Sequence, residues 1–381
     1  MEPLYGPTYL PRKFKLGIAI PPSNDVDVYT NDVGFIAIVR DGNLSGFNVT
    51  IGGGMGMTHN NMKTYPRLGD LIGFVSPDQA IDVAEKIMLV QRDHGDRKNR
   101  KHARLKYTID DHGVEWFVKE VEKRLNYDLK PAQPFSFDSN VDKFGWRRTE
   151  DGKYHFCMFI ENGRVCDEAR FSMKAGLREI ASYFQHDEEF RFRLTANQHL
   201  YLCNISEGKL VDVKNLLAKW ALDNLAHSGL RLSSSSCVLV ALPTCGLAMA
   251  ESERYLPLLV SKVENILEEE GLRHDSIVMR MTGCPNGCAR PWVAEIAFVG
   301  KAPDTYNMYL GGGYYGQRLN KLFKASISEE QILESLKPLI KKYATERKYG
   351  ERFGDWTIRA GVIQATLNGQ DFHNGVAEDE E

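Results

Sequence analysis

Two thiols, Cys284 and Cys288, stand on either side of Pro285-Asn286-Gly287 in the stretch Thr282 to Cys288. Asn and Gly permit tight backbone geometry and Pro holds the turn open, so both sulfurs can converge on one metal centre. A third thiol, Cys245 in Pro243-Thr244-Cys245, arrives about forty residues earlier. Together they supply three of the four thiolates that an iron–sulfur cluster usually takes. Buried free cysteines and a zinc knuckle stand as alternatives, although paired zinc cysteines usually have two residues between them.

A second chemical candidate lies near the start, in Leu10-Pro11-Arg12-Lys13-Phe14-Lys15-Leu16-Gly17-Ile18-Ala19-Ile20. Read as a strand, its period of two puts Lys13 and Lys15 on one face and Arg12 and Phe14 on the other. Two adjacent ammonium groups repel unless they are solvated or face an anion, so this face is surface or an anion site. Arg92 to Lys106 is densely basic, with Arg92, Arg97, Lys98, Arg100, Lys101, Arg104 and Lys106. It lacks the aromatic interleaving of a nucleic-acid surface and suits a solvated helix end or a compact polyanion.

These candidates need elements to hold them. Phe35 to Val39 and Gly46 to Ile51 read as strands joined at Asp41-Gly42-Asn43, a hairpin signal. Ser76-Pro77-Asp78-Gln79 opens a helix with a Ser N-cap and Pro at its first position, and the apolar face of that helix includes Ile81, Val83, Ile87 and Val90. Pro131 to Asp142 reads as a linker. Beyond it, a strand at Tyr154 to Ile160, a helix near Ser172 to Phe184, a strand pair around Arg191 to Leu202 and a helix from Val211 to Ala226 make a ferredoxin-like unit. Thr195-Ala196-Asn197-Gln198 falls within that strand pair as a ligand-facing or ordinary polar segment. The third part has helical segments on both sides of Pro257, strands at Glu295 to Val299 and Tyr306 to Leu310, and a helix from Ser328 to about Tyr343.

The third part repeats the first. Phe47-Asn48-Val49-Thr50-Ile51-Gly52-Gly53-Gly54 matches Tyr306-Asn307-Met308-Tyr309-Leu310-Gly311-Gly312-Gly313, and a Ser-started helix follows each. The order strand, strand, triple glycine, helix, present twice, predicts a pseudo-twofold architecture with one ligand between the halves. Gly311 to Gly316 also fits G-x-G-x-x-G, but no helix opens there and Met57 stands where the repeat partner would need glycine, so nicotinamide binding has little support.

At 381 residues the chain is long enough for two or three domains, and 43% hydrophobic with 26% charged residues is a globular composition. A net charge of −3 gives no global pull toward nucleic acid or membrane. Seven cysteines, with no signal-like segment after Met1 and no apolar run long enough to span a bilayer, predict reduced thiols in a cytoplasmic protein.

Leu10 to Lys15, Pro21-Pro22-Ser23-Asn24-Asp25, Thr195 to Gln198, Pro243 to Glu251 and Thr282 to Cys288 together resemble the sirohaem- and [4Fe–4S]-containing sulfite and nitrite reductases, on the assimilatory sulfite reductase side of that family. The resemblance runs to about Thr366. It implies an α+β fold: a sirohaem-binding repeat over 1–130, a ferredoxin-like half-domain over 143–228, a second repeat with the cluster cysteines over 229–366, and an acidic disordered tail over 367–381. It also implies six-electron reduction of sulfite to sulfide. By motif position Lys13 and Lys15 face the substrate, while Arg12, Arg104, Gln198, Thr282 and Asn286 contact sirohaem. Cys245 and Cys284 ligate the cluster, and Cys288 both ligates it and bridges to the haem iron. An NADPH-dependent flavoprotein or ferredoxin would supply electrons. Nitrite reduction and a non-catalytic, cofactor-free role are the alternatives. Two departures follow: the family's first cluster cysteine falls on Leu239, leaving Cys237 as the nearest thiol, and the chain starts where the family's second half starts.

Overall fold

In the computed structural model, which describes residues 2–168, 171–236 and 241–374, the first sheet has the order β1 (Leu16–Ala19), β2 (Val33–Arg40), β3 (Asn43–Ile51), β4 (Asp70–Val75). β1 runs parallel to β2 and the other pairs are antiparallel. Asp41 and Gly42 both take positive φ (49° and 75°), which gives the two-residue hairpin that matches strand twist. Ser76 and Gln79 form a capping box, and α1 (Ala80–His94) follows, with α2 (Leu105–His112) and α3 (Val114–Glu122). Val83, Ile87, Leu105, Ile109, Phe117 and Val121 from these helices close the core over Val33, Val49 and Ile51.

The predicted strand over Leu10 to Ile20 is confined to β1; residues before Leu16 are irregular, so Lys13 and Lys15 do not share a strand face. Pro131 to Asp142 is not a loose tether. Gln133 exchanges hydrogen bonds of 2.8 Å with the Asn48 side chain in both directions, and Asn24 N–H donates to Ser139 O.

The middle unit is a four-stranded antiparallel sheet in the order β5 (Gly145–Arg148), β6 (Tyr154–Met158), β8 (Leu200–Ile205), β7 (Arg191–Leu194). It is packed by α4 (Met173–Tyr183) and α5 (Leu210–Lys219). The latter stops short of the expected Ala226, and Ala221 takes φ 52°. Thr195 to Gln198 is the turn between β7 and β8, not strand.

The last sheet has the order β9 (Ser235–Ser236), β10 (Met279–Thr282), β11 (Ile296–Ala302), β12 (Thr305–Leu310), β13 (Lys321–Ile327). From β10 onward it repeats the first sheet: one parallel pair, then two antiparallel pairs. A second Ser–Gln capping box, Ser328 and Gln331, opens α7 (Glu329–Glu346). A single helix, α6 (Leu256–Glu269), carries Pro257 in its first turn, where its missing N–H costs nothing, so the chain does not break there. Cys237, Leu239 and residues 375–381 lie outside the described residues, but the tail expected to be disordered from 367 is not so at its start: Gly369–His373 forms a short helix and buries Phe372 against Trp292 and Tyr309. G-x-G-x-x-G opens no helix; Gly316 instead approaches Asp27 closely and leads toward β13.

The triple glycines show why the repeat is visible. A Cβ on Gly53 would meet Tyr29 O at 2.1 Å, and one on Gly312 would meet Ala294 O at 2.1 Å. The loops that follow are exchanged between repeats. Trp292 Nε1 donates to Met55 O (2.7 Å) and Met57 N–H to Pro285 O (3.0 Å), while Asn24 Nδ2 donates to Tyr315 O (2.8 Å). Met55, Met57, Trp292, Tyr309 and Tyr314 form the apolar cluster at this junction. Among the described residues no helix is long and apolar enough to cross a membrane.

Glu295, wholly buried, accepts N–H bonds from Val278 and Gly354 at 2.9 Å each. Burial pushes its carboxyl up from 4.5 to about 7 against those bonds, which favour the ionised form. The folded chain therefore keeps a proton that the unfolded chain loses between those two values. Glu295's contribution is whole below about 4.5 and disappears as pH rises through about 7, a swing on the order of 3 kcal/mol. Melting curves are expected to show stability falling across this window in the native chain and a flatter profile in Glu295→Gln; parallel profiles would contradict the assignment.

Candidate functional site

Between the two repeats and the half-domain turn lies a cleft of about 230 Å³. Lys13 and Lys15 line it from the segment entering β1, and Val26, Thr30 and Asn31 from the loop between β1 and β2. Met55 and Gly56 follow the first triple glycine, Arg104 precedes α2, and Ala196 to Gln198 come from the half-domain turn. The far wall is Asn286 to Arg290, in the loop between β10 and β11. Gly287 has φ 65°, and a Cβ there would sit 2.7 Å from Trp292 Nε1, so this turn requires glycine.

The cleft is cationic by construction. Burial pushes the Lys15 ammonium down, and Lys13 and Arg104 push it further, while Asp32 and Cys288 hold it back. Arg104 is buried and grips Asp32 with Nε (3.2 Å) and Nη2 (2.8 Å); Lys15 N–H also donates to Asp32 (2.8 Å). Arg12 does not line the cleft, but burial and then the charges of Arg100 and Arg104 lower its pKa. The rest of the basic run disperses. Arg92 and Arg97 tie down Leu4 O and Tyr9 O, and Lys106 is wholly buried, donating to the carbonyls of Gly54, Gly56 and Tyr65.

Gln198 takes φ 74°, and both its side-chain Oε1 and Nε2 are buried without partners among the described residues. Orphaned amide atoms beside a cleft are costly unless a ligand satisfies them. Thr282, at the end of β10, is also wholly buried with Oγ1 unpartnered, but it does not line the cleft.

Of the thiols, Cys288 is exposed into the cleft, Cys284 is buried behind it, and Cys245 is half-buried in the turn closed by Ala248 N–H to Cys245 O (3.0 Å). Burial pushes the Cys284 thiol up; hydrogen bonds from Asn286 oppose this, and the charges of Cys288 and Cys245 add to it. Thiolates that raise one another's pKa in this way are relieved by a metal cation. Among the described residues they do not by themselves make a metal-binding set; Cys237 falls outside. The cleft is smaller than the roughly 300–1,000 Å³ that encloses a drug-sized ligand, so it suits one face or edge of a large anionic group. The cations, the orphaned amide and the thiols all fit a carboxylate-rich tetrapyrrole beside an iron–sulfur centre.

Four residues of this site escaped sequence reading: Asp27, Asp32, Arg280 and Arg290. Only Arg290 carried a local signal, a cation two positions beyond Cys288.

Fold and cleft are similar to those of the nitrite and sulfite reductases. Residues 1–129 match the "Nitrite and sulphite reductase 4Fe-4S domain" and residues 147–220 the "Nitrite/Sulfite reductase ferredoxin-like half domain". The chain is 58% identical over 381 residues to "Sulfite reductase [NADPH] subunit beta" of Saccharomyces cerevisiae, covering all of this chain and 26% of that protein. It is 55% identical over 373 residues to "Sulfite reductase [NADPH] hemoprotein beta-component" of Bacillus velezensis, covering 98% of this chain and 64% of that one. The chain thus spans about a quarter of the fungal relative and under two thirds of the bacterial one. Among solved structures, the Mycobacterium tuberculosis NirA protein superposes with a TM-score of 0.77 at 26% identity, over 93% of this chain and 64% of that one.

Proposed function

We propose that this chain is the reducing part of a sulfite reductase, converting sulfite to sulfide with six electrons. The observation that carries the reading is the meeting of Lys13, Lys15 and Cys288 in one cleft. Lys13 and Lys15 bind the sulfite anion and give protons to the oxygens that leave as water. Arg12, Arg104, Gln198 and Asn286 address the carboxylates of sirohaem, with Thr282 behind them. Cys245, Cys284 and Cys288 ligate a [4Fe–4S] cluster, with Cys237 as the fourth thiol. Together the two cofactors supply stepwise electron delivery to bound substrate. The naming of the relatives supports an NADPH-dependent flavoprotein as electron donor.

Anaerobic purification with sirohaem supplied, followed by an optical spectrum and an iron count, tests this. A haem spectrum with about five irons per chain is expected, one from sirohaem and four from the cluster. A colourless, iron-free chain that refuses reconstitution would overturn it.

A further inference from the structure

Beside the cleft, one carboxylate joins parts of the chain that are far apart in sequence. Asp27 is fully buried, in the loop between β1 and β2, with φ 46°. Its Oδ2 takes Arg280 Nη1 at 2.5 Å and Arg290 Nε at 3.0 Å, and its Oδ1 takes Asn140 Nδ2 at 3.2 Å. Gly316, from the second glycine loop, approaches so closely that a Cβ there would sit 2.7 Å from the same Oδ1. Arg280 Nη1 also donates to Arg290 O (3.1 Å), fixing a residue that holds φ 55° without being glycine.

Arg290 is consumed by this arrangement. Beyond Asp27, its Nη1 donates to Val26 O (3.4 Å), and its Nη2 to Ala196 O (3.4 Å) and Asn197 Oδ1 (3.3 Å). One planar guanidinium, two residues after Cys288, thus ties three cleft walls together: the β1–β2 loop, the half-domain turn and the thiol loop. Burial alone would push the Asp27 carboxyl up, but Arg280 and Arg290 hold it below its usual range, so it stays ionised. A buried ion pair adds little net stability compared with apolar packing, whereas removing one partner leaves the other charge buried and unpaired.

We infer that Asp27 is a positioning residue of the site: through Arg290 it sets how the Cys288 loop faces Lys13, Lys15 and Gln198. The inference rests on the functional reading above, yet part of its test does not. In Asp27→Asn, hydrogen exchange of the full chain is expected to speed up by about tenfold or more in 284–290 and 195–198, with α6 unchanged. Arg290→Lys keeps the charge but cannot span three walls, so a smaller rise in the same two segments is expected; it decides the matter alone should Asp27→Asn fail to fold. Unchanged exchange there, or an equal rise everywhere, overturns the inference. This readout needs no cofactor, so a colourless native chain would sink the functional reading while leaving it standing. In sirohaem-loaded protein, Asp27→Asn is expected to shift the visible absorption with iron content retained; an unshifted band overturns the positioning role.

Discussion

Replacing Cys288 with Ser is expected to remove sulfite reduction from the loaded protein by roughly 10³-fold or more, while changing folding stability by no more than about 0.5 kcal/mol. The fold is spared because the loop is held by its backbone: Gly287 N–H reaches Cys284 O (3.3 Å) and Arg290 N–H reaches Gly287 O (2.9 Å). Cys288 is exposed, so its sulfur leaves no cavity in the core. The chemistry is not spared, because a serine oxygen is hard and protonated where a soft thiolate is required. Cys284→Ser makes the useful contrast. It places a hydroxyl at a buried position, so it is expected to lose melting temperature as well as iron. Melting curves, iron content and sulfite turnover of the two variants separate these effects. Sulfite turnover retained by Cys288→Ser would remove this thiol from the site.

What could be read in the sequence was what local geometry forces on local residue types. Gly53 and Gly312 are glycine because a neighbouring carbonyl occupies the space of a Cβ, and that demand appears as two matching triplets. The same holds for Asp41-Gly42 at the hairpin and for the two Ser–Gln capping boxes. The thiols were legible because Cys284 and Cys288 share one short turn. Contacts between distant segments left no such trace. Asp27 and Arg280 are 253 positions apart, and each is an ordinary charged residue in its own neighbourhood. Lys106 looked like one more member of a solvated run, yet it is buried and braces the Gly54–Gly56 backbone. Thr195 to Gln198 could not be told from strand because Thr195 hides its turn chemistry: its hydroxyl donates to Asp142 (2.6 Å) and accepts from His199 N–H (3.0 Å). β4, β10 and β13 were not anticipated, since their short mixed sequences gain strand character only from the neighbours they pair with.

Changing Lys13 and Lys15 to Met should separate anion binding from the rest of the chemistry. Each lysine is exposed at the cleft, so neither substitution empties a core. Arg290 cannot take over, because its guanidinium is committed to Asp27 and three other acceptors. Among the described residues neither Lys13 nor Lys15 forms a close ion pair, and the Asp32 charge only partly offsets that of Lys15, so both ammonium groups can meet a ligand. Removing a preorganised charge that meets developing charge typically costs about 10²–10³ in rate. Each single variant is expected to lose about 10²-fold in kcat/KM for sulfite, and the double variant still more, with iron content and spectrum unchanged. Rescue by Lys13→Arg or Lys15→Arg should be partial, since a guanidinium keeps the charge but is a far poorer proton donor than an ammonium. If binding recovers in the Arg variants while turnover does not, the lysines act as acids as well as counter-ions. If the double Met variant reduces sulfite at the native rate, substrate does not meet this wall, and the cationic face serves only the cofactor's carboxylates.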